Sequence, residues 1–360
     1  MNLIRVVVAD DSPFVCRLLK KIIESTSEIE VIATVQSGEE LIEIVTQQKP
    51  DVITLNSHLS DLQVLEVLTL LQEECPTPTI VISGANMDDS SFALSAIELG
   101  VVDFIFKFSP GDLIGIEQMC SEIISKIKTA AMVKTRLTVP EASLTQGLFT
   151  QGMDVIEGIE IQEPEFAVED KNHLAPEVVI VVGASTGGPI VIREFLESFP
   201  ENFPGSVVVV QHLPPSFTTA LADLLGQQAA MKVREAVEGE RLECGTVYLS
   251  PAWTHLQVNE DGVIEFLQEK ENPNYCPSID LTMKSIAEYY KDKSRGILLT
   301  GMGHDGISGL RDIQANGGRT YVQDPESCTI SGMPQRAIEA GVVDHIAPPS
   351  HLARLVTMGY

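Results

Sequence analysis

The stretch VVIVVGASTGGP, residues 178–189, predicts a strand that runs into a glycine-rich turn and then a helix. Gly183, Ser185 and Gly187 form a G-x-S-x-G sequence, and flanking glycines allow a serine to sit on a sharp strand-to-helix bend with its hydroxyl exposed. The N-terminus of the helix supplies backbone N–H groups and a positive dipole for a developing oxyanion. Because glycine-rich turns also hold nucleotide phosphates, the motif by itself leaves a phosphate-binding function open.

The same alternation continues to the end of the chain. Strands are predicted at residues 178–182, 207–211, 246–249, 296–300 and 319–323, and polar, glycine-rich loops follow several of them. In a parallel, doubly wound sheet the carboxyl ends of the strands share one edge, where substrates bind. Residues 177–360 are therefore predicted to form a Rossmann-like α/β domain with its site at that edge.

Two further loops place a base and an acid at this edge. His212 follows the predicted strand at residues 207–211, and Asp305 lies in the loop GMGHDG after the strand at 296–300. A serine hydroxyl needs a base that accepts its proton, and an aspartate can orient the imidazole and stabilise its charged form. Ser185, His212 and Asp305 are the predicted triad, in a different chain order from the Ser–Asp–His of α/β-hydrolases.

Other side chains compete with this assignment. His304 is a rival base beside Asp305, although adjacent residues of a tight turn usually point apart. His255, in SPAWTHL, is predicted to be a structural or substrate-edge histidine, and Cys276 has no base beside it in sequence that would make it a nucleophile. An NAD(P) site at GASTGG is disfavoured because the spacing is not G-x-G-x-x-G and no clear ribose-binding acid follows about 20 residues on.

The N-terminal part of the chain alternates short apolar strands with amphipathic helices. Five βα units within about 125 residues imply a second parallel, doubly wound sheet with right-handed crossovers, of the flavodoxin-like class. The predicted domains are residues 1–128 and 177–360, joined by an acidic linker at 129–176. The predicted strands of the first domain are residues 4–9, 31–35, 52–55, 79–83 and 103–106.

The ends of these strands gather polar residues at one edge of the first sheet. Asp10 and Asp11 follow the first strand, and two adjacent carboxylates repel one another unless a hard cation such as Mg²⁺ relieves the repulsion. The third strand leads to Asn56, the fourth to Ser83 and the fifth to Lys107. These five residues are predicted to surround one pocket.

Composition and charge narrow the function classes. A formal net charge of −27, with only 24 Lys and Arg, argues against nucleic acid as the main partner. No apolar run approaches the ~20 residues of a membrane span, and the N-terminus enters a strand pattern directly, so neither membrane insertion nor a signal peptide is expected. Six scattered cysteines without a CxxC pair are typical of reduced thiols in a cytoplasmic protein.

Residues 3–128 resemble the receiver domain of two-component response regulators. In that family the acid pair binds Mg²⁺, an aspartate at the position of Asn56 accepts a phosphoryl group, and a Ser or Thr and a Lys contact the phosphate. A carboxamide is a poor nucleophile, so the resemblance implies a pseudo-receiver that is not phosphorylated at Asn56; weak Mg²⁺ binding at the acid pair stays open. The matching residues are Asp10, Asp11, Ser83 and Lys107.

Residues 178–347 resemble the catalytic domain of the chemotaxis protein-glutamate methylesterases, the CheB family. The resemblance rests on the motifs GASTGGP, QHLPPSFT, SPAWTHL, CPSIDLTMKS, LTGMGHDGISGL and MPQRAIEAG, in order and with family-like spacing. It implies a cytoplasmic hydrolase, with no required cofactor, that cleaves glutamate γ-methyl esters on methyl-accepting chemoreceptors and deamidates some of their glutamines. By matching position, Ser185 is the nucleophile, His212 the base and Asp305 the orienting acid, and the backbone near Thr186 and Met302 surrounds the oxyanion.

Regulation is where the two resemblances conflict. In the family the receiver covers the esterase site until phosphorylation releases it, and Asn56 removes that switch in its usual form. The leading hypothesis is a methylesterase with phosphorylation-independent regulation, either constitutively uncovered or freed by another event such as docking. The alternative is a signalling scaffold whose pseudo-receiver docks on chemosensory partners such as the chemotaxis histidine kinase.

Overall fold

The computed structural model describes residues 3–84, 90–107, 113–137, 175–213, 217–268 and 275–357, which form two α/β domains. Most of the predicted linker at residues 129–176 lies outside these ranges, and the last helix of the first domain continues to Leu137. The boundaries of the three predicted segments therefore stay a prediction.

The first domain is a five-stranded parallel sheet in the order β2-β1-β3-β4-β5. One face packs against α1 and α5, and the other packs against α2, α3 and α4, so each face has its own apolar core. Its elements in chain order are β1 (Ile4–Ala9), α1 (Pro13–Ile23), β2 (Ile29–Val35), α2 (Gly38–Gln48), β3 (Val52–Asn56), α3 (Val64–Glu74), β4 (Thr79–Gly84), α4 (Ser90–Glu98), β5 (Val101–Lys107) and α5 (Leu113–Leu137).

The second domain is a seven-stranded parallel sheet in the order β14-β13-β12-β6-β7-β9-β8, with an antiparallel hairpin of β10 and β11 beside it. Its elements are β6 (Val179–Ala184), α6 (Gly188–Leu196), β7 (Ser206–Gln211), α7 (Thr218–Gln228), β8 (Lys232–Glu235), β9 (Thr246–Leu249), β10 (His255–Val258), β11 (Ile264–Leu267), α8 (Ile279–Tyr290), β12 (Ser294–Leu298), α9 (Ile307–Ala315), β13 (Arg319–Gln323), α10 (Gly332–Glu339), β14 (His345–Ala347) and α11 (Pro349–Thr357). The predicted fold class, two doubly wound parallel sheets, is confirmed.

The strand order positions the site. From β6 the chain continues to β7 on one side of the sheet, and it later returns to β12 on the other side. A crevice opens at such a reversal because the two neighbouring connections leave on opposite faces of the sheet. The loops after β6, β7 and β12 meet there, and they carry the serine, histidine and aspartate of the predicted triad.

The two domains pack against each other through apolar side chains. Phe104 of β5 lies against Phe217, just before α7, with ring centroids 4.9 Å apart. Phe217 belongs to the apolar cluster of the first domain, and Leu213 contacts the cores of both domains. The chain that follows β7 and His212 is thus held by the first domain.

Gly183 sets how closely α8 approaches β6. A methyl group at this position would lie 2.5 Å from Cγ2 of Ile279 and 2.9 Å from Cδ2 of Leu298, both in the core. We expect Gly183→Ala to lower the free energy of unfolding by about 1–3 kcal/mol, because overpacking forces these side chains to move. Denaturant unfolding measures this change.

Gly226, in the interior of α7, provides the control. A methyl group there would meet nothing closer than Cβ of Val233 at 3.7 Å. Gly226→Ala should raise the free energy of unfolding by up to about 1 kcal/mol, because alanine favours the helical backbone. A Gly183→Ala protein as stable as wild type would show that α8 is not held at van der Waals contact with β6.

Candidate active site

Ser185 lies immediately after β6, on a turn that is held by three hydrogen bonds to its main chain. Its backbone N–H donates to the carbonyl of Thr300 at 3.1 Å, and its carbonyl accepts from the N–H of Gly188 at 2.8 Å and from Nε2 of Gln211 at 2.8 Å. Gly187 caps the following helix at φ 78°, where a Cβ would lie 2.6 Å from Cβ of Thr329. The turn therefore requires glycine, as the motif predicts, and it presents the serine at the crevice.

His212 and Asp305 form the next part of the site. Nε2 of His212 lies 2.9 Å from Oδ2 of Asp305, whose carboxylate is almost fully buried. The same carboxylate accepts hydrogen bonds from the N–H groups of Ile279 and Asp280 and from Oγ of Ser278, at the N-terminus of α8. An anion at a helix N-terminus is stabilised by these donors and by the helix dipole.

These contacts set the charge of Asp305. Burial by itself raises the pKa of a carboxyl group, but the hydrogen bond and charge of His212 and the backbone donors of α8 outweigh it, so the pKa of Asp305 is lowered. The carboxylate therefore stays ionised at neutral pH and can orient the imidazole and stabilise its charged form.

Asp280 makes the reciprocal contact from the first turn of α8. Its Oδ1 accepts hydrogen bonds from the N–H groups of Gly306 at 2.9 Å and Gly309 at 2.7 Å, at the N-terminus of α9. Asp305, just before α9, thus caps the N-terminus of α8, and Asp280 of α8 caps the N-terminus of α9. Burial, and then the charge of nearby Asp305, raise the pKa of Asp280 to about 6, although the backbone bonds oppose the change.

Within the described residues, no hydrogen bond joins Oγ of Ser185 to the ring of His212. Because Asp305 takes Nε2, Nδ1 is the ring nitrogen left for a serine proton. Catalytic hydrogen bonds are often longer in uncomplexed enzymes and tighten when substrate binds. The lack of a hydrogen bond between Ser185 and His212 is therefore compatible with a triad.

Backbone donors near the serine differ in whether they are already used. The N–H of Ser185 and that of Gly301 donate to carbonyls within the fold. Among the hydrogen bonds of the described residues, none uses the N–H of Thr186 or of Met302. These two N–H groups are therefore available for an oxyanion, at the two positions that the resemblance implies.

The rival residues have other surroundings. Nδ1 of His304 lies 3.3 Å from the hydroxyl of Tyr275, and His304 is exposed rather than aimed at Asp305. His255 is fully buried at the start of β10. Cys276 is half-buried, and all six cysteines are free thiols. The imidazole of His212 is instead covered by the stacked ring of Tyr275, with centroids 5.2 Å apart and planes 14° from parallel.

Comparisons with known proteins show the family of this chain. The family model described as CheB methylesterase matches residues 180–356, and that of the response regulator receiver domain matches residues 6–116. The protein-glutamate methylesterase/protein-glutamine glutaminase of Caldanaerobacter subterraneus subsp. tengcongensis is 36% identical over 96% of this chain and 93% of its own length. This chain belongs to the CheB methylesterase family.

Other relatives bear the same name. Those of Thermotoga maritima and Pyrococcus abyssi are 34% and 33% identical, over 99% of this chain in both cases and over 99% and 94% of their own lengths. A solved structure, the Thermotoga maritima CheB methylesterase catalytic domain, is 36% identical with a TM-score of 0.49, covering 51% of this chain and 99% of that chain. The predicted family is confirmed.

The pocket of the receiver-like domain of this chain contains an amide among its carboxylates. Asp10 is buried and accepts from the N–H of Ser12, and Oδ1 of Asp11 accepts from Nδ2 of Asn56 at 3.1 Å. Nδ2 also donates to the carbonyl of His58 at 2.8 Å. The N–H₂ group of Asn56 thus lies toward the acid pair, where it supplies hydrogen-bond donors instead of the oxygen ligands that Mg²⁺ requires.

The remaining pocket residues are partly placed. Ser83 is fully buried at the end of β4, and its Oγ accepts from Oγ of Ser57 at 3.1 Å. Lys107 ends β5 beside Gly84 of β4, but its side chain lies outside the described part. Within the described ranges, no group of three or more His, Cys, Asp and Glu side chains could hold a metal ion.

The first domain contacts both residues predicted near the oxyanion. Oγ1 of Thr186 donates to Oδ2 of Asp103 in β5 at 2.5 Å, and the hydroxyls of Ser125 and Thr129 in α5 donate to the sulfur of Met302. The cavity beside Ser185 is lined by both domains, by Val101 and Phe104 of β5 on one side and by Gln211 and His212 on the other.

Asp103 is itself held by the half-buried cation of Lys126. Nζ of Lys126 lies 3.0 Å from Oδ1 of Asp103 and 2.8 Å from Oε1 of Glu122. Burial opposes a charge on Lys126, but the two carboxylates outweigh it, so the pKa of Lys126 is raised. The ion pair with Lys126 holds the carboxylate of Asp103 beside Thr186.

Sequence reasoning missed Asp103, Tyr275 and Asp280. Tyr275 precedes the motif CPSIDL and Asp280 lies within it, and the serine and aspartate of that motif were the available signal for the start of a helix. Asp103 gave no signal, because its role depends on how the two domains pack.

None of the helices in the described ranges is both long and apolar enough to cross a membrane.

The raised pKa of Asp280 predicts a pH-dependent stability. Between the ordinary carboxyl pKa and about 6, the folded chain binds more protons at Asp280 than the unfolded chain, so the free energy of unfolding falls as pH rises. Asp280→Asn keeps an oxygen for the two backbone N–H groups. It should raise the unfolding temperature by on the order of 2–4 °C, more at about pH 8 than at about pH 5, as measured by calorimetry.

Asp223→Asn, at an exposed position of α7, is the matched control and should change the unfolding temperature little at either pH. An equal effect of Asp280→Asn at both pH values would contradict the assigned cause.

Proposed function

We propose that this chain hydrolyses glutamate γ-methyl esters through Ser185, His212 and Asp305, and that it deamidates glutamine by the same route. The observation that carries the proposal is the buried Asp305, held ionised at the N-terminus of α8 and bonded to His212. A carboxylate in this setting serves an imidazole that becomes charged during reaction. The serine at the same sheet edge is the nucleophile that such an imidazole activates.

The chemistry proceeds in two halves. His212 accepts the proton of Ser185 as Oγ attacks the ester carbon, and the N–H groups of Thr186 and Met302 stabilise the oxyanion. The tetrahedral intermediate collapses, and methanol leaves with the proton from His212. Water then gives a proton to His212 and attacks the acyl-serine, which releases glutamate and returns the proton to Ser185. With glutamine, ammonia leaves in place of methanol.

The proposed substrates are methyl-accepting chemoreceptors, and the chemotaxis histidine kinase is a proposed partner. The names of the relatives, protein-glutamate methylesterase/protein-glutamine glutaminase, support the substrate residue types. We place this reaction in the cytoplasm, where the receptor regions that carry such glutamates are found. No metal or cofactor takes part in either half of the proposed reaction.

The receiver-like domain is proposed to restrain the esterase without aspartyl phosphorylation. Asn56 offers no carboxylate nucleophile, and its N–H₂ group takes the place of a cation beside Asp11. The restraint is supported by the bond from Thr186 to Asp103 and by the contacts of Ser125 and Thr129 with the sulfur of Met302. Release therefore requires an event that separates β5 and α5 from the catalytic loops, such as docking of a partner.

Removal of the nucleophile tests the activity. Ser185→Ala should reduce the release of methanol from methylated receptor by at least about 10³-fold, because the acyl-serine can no longer form. Ser206→Ala, a buried serine at the opposite end of β7, should keep turnover. Equal rates for Ser185→Ala and wild type would exclude this mechanism, and a wild-type chain that binds receptor without turnover would support the scaffold alternative.

Removal of the contact between domains tests the restraint. Asp103→Ala removes the acceptor for Thr186, and a lost charge-assisted hydrogen bond of about 1.5–3 kcal/mol favours the uncovered state by on the order of tenfold or more. We therefore expect turnover of methylated receptor by the full-length chain to rise by about that factor. Residues 175–360 alone should set the upper limit.

Asp61→Ala is the control, because Asp61 accepts from the N–H groups of Gly38 and Glu39 within the receiver-like domain only. It should leave turnover unchanged. Acetyl phosphate with Mg²⁺ should neither modify residue 56 nor change the rate. A faster Asp61→Ala protein, or activation by acetyl phosphate, would contradict the proposed restraint.

A further inference from the structure

Gln211 is the last residue of β7 and is almost completely buried between the two catalytic loops. In the sheet register it pairs with Ala184, the residue before Ser185. The next residue, His212, still donates its backbone N–H to the carbonyl of Ala184 at 3.0 Å. Beyond this bond the main chains of β6 and β7 separate, and no further ladder hydrogen bond joins them in the described residues.

The side chain of Gln211 continues the ladder across this gap. Its Nε2 donates to the carbonyl of Ser185 at 2.8 Å and to the carbonyl of His212 at 3.0 Å. A carboxamide nitrogen carries two hydrogens, so both bonds can be made at once. One planar group thus joins the main chain of the nucleophile to the main chain of the base.

The other end of the amide has different surroundings. Oε1 of Gln211 is buried and makes no hydrogen bond to any residue in the described ranges. Oε1 lies against Gly188. A Cβ at residue 188 would come within 1.8 Å of Oε1, so glycine is the only residue type there that leaves room for the glutamine side chain. A buried, unpaired amide oxygen costs about 1–3 kcal/mol. The fold keeps the amide despite this cost, and both of its N–H donors are used on the two carbonyls.

We infer that Gln211 is a positioning residue that fixes the distance between Ser185 and His212. This inference rests on the proposed triad. The two carbonyls that it holds belong to the two residues that exchange a proton, so a shift of either main chain changes the approach of Oγ to the imidazole. A misplacement of about 1 Å can reduce a catalysed rate by about 10²-fold. Gln211 acts through Ser185 and His212 and contacts no substrate.

Two substitutions in the full-length chain separate positioning from packing. Gln211→Met keeps the volume and removes both N–H donors. We expect kcat for methylated receptor to fall by roughly 10- to 100-fold, with KM within about threefold of wild type, because the variant changes the reacting pair and leaves the substrate contacts in place.

Gln211→Glu adds a pH readout that packing alone does not produce. A protonated carboxyl group can donate to one of the two carbonyls, whereas an ionised carboxylate repels both. Burial beside two acceptors raises the pKa of such a carboxyl group into the working range. The ratio of kcat for Gln211→Glu to kcat for wild type should therefore fall as pH rises from about 6 to about 9, whereas the ratio for Gln211→Met stays constant.

Gln314 supplies a matched control. Its Nε2 also donates to two oxygens, Oγ1 of Thr320 at 3.2 Å and Oδ1 of Asp344 at 3.0 Å, near the opposite edge of the same sheet. Gln314→Met should keep kcat within about twofold of wild type even where its unfolding temperature falls, since it lies far from the reacting pair.

The outcomes are separable. If Gln211→Met keeps the wild-type kcat, or if the ratio for Gln211→Glu does not change with pH, Gln211 only fills space and the inference is wrong. If Gln211→Met does not fold, the pH dependence of Gln211→Glu decides alone. If wild-type turnover does not depend on Ser185, the proposed function fails first, and this result is distinct from an active Gln211→Met protein.

Discussion

The reciprocal capping of α8 and α9 is the constraint on which the rest of the site depends. Asp305, just before α9, accepts the first N–H groups of α8, and Asp280, in α8, accepts the first N–H groups of α9. These bonds bring the two carboxylates close together, and the pKa values of the two groups are shifted in opposite directions. Asp305 gains His212 and has a lowered pKa, whereas the pKa of Asp280 is raised to about 6. The fold thus keeps its charged carboxylate next to the imidazole.

The first domain contains the opposite arrangement, in which an uncharged amide lies beside a pair of carboxylates. Asp10 and Asp11 remain at the end of β1, but Asn56 donates to Asp11 where a third carboxylate would add repulsion. An amide is also a poor nucleophile, so the proposed regulation does not pass through residue 56. The domain can still act through its surface, and its β5 and α5 do so by contacting the catalytic loops.

The sequence was sufficient for the architecture, because long apolar strands followed by glycine-rich loops give a strong local signal, and it placed Ser185, His212 and Asp305 in loops that the fold brings to one edge of the sheet. Five strands of each domain were predicted, with ends shifted by a few residues; β12, for example, starts at Ser294 because that residue pairs with Val179 of β6. The strands β8, β10, β11 and β14 were missed, since three or four residues are too few to show an alternating pattern. Asp103, Gln211 and Asp280 could not be assigned roles, because each acts across elements that are distant in sequence.

In the proposed mechanism the restraint and the chemistry use the same residues, so release does not need a phosphoacceptor. Thr186 and Met302 carry the N–H groups available for an oxyanion, and their side chains are the ones that bond to Asp103, Ser125 and Thr129. Any partner that binds the uncovered state more tightly shifts the equilibrium by its difference in affinity for the two states. A difference of about 5.5 kcal/mol converts a 1:99 equilibrium to 99:1, which is within reach of an ordinary protein interface. Docking alone can therefore supply the free energy that phosphorylation supplies to a receiver with an aspartate at this position.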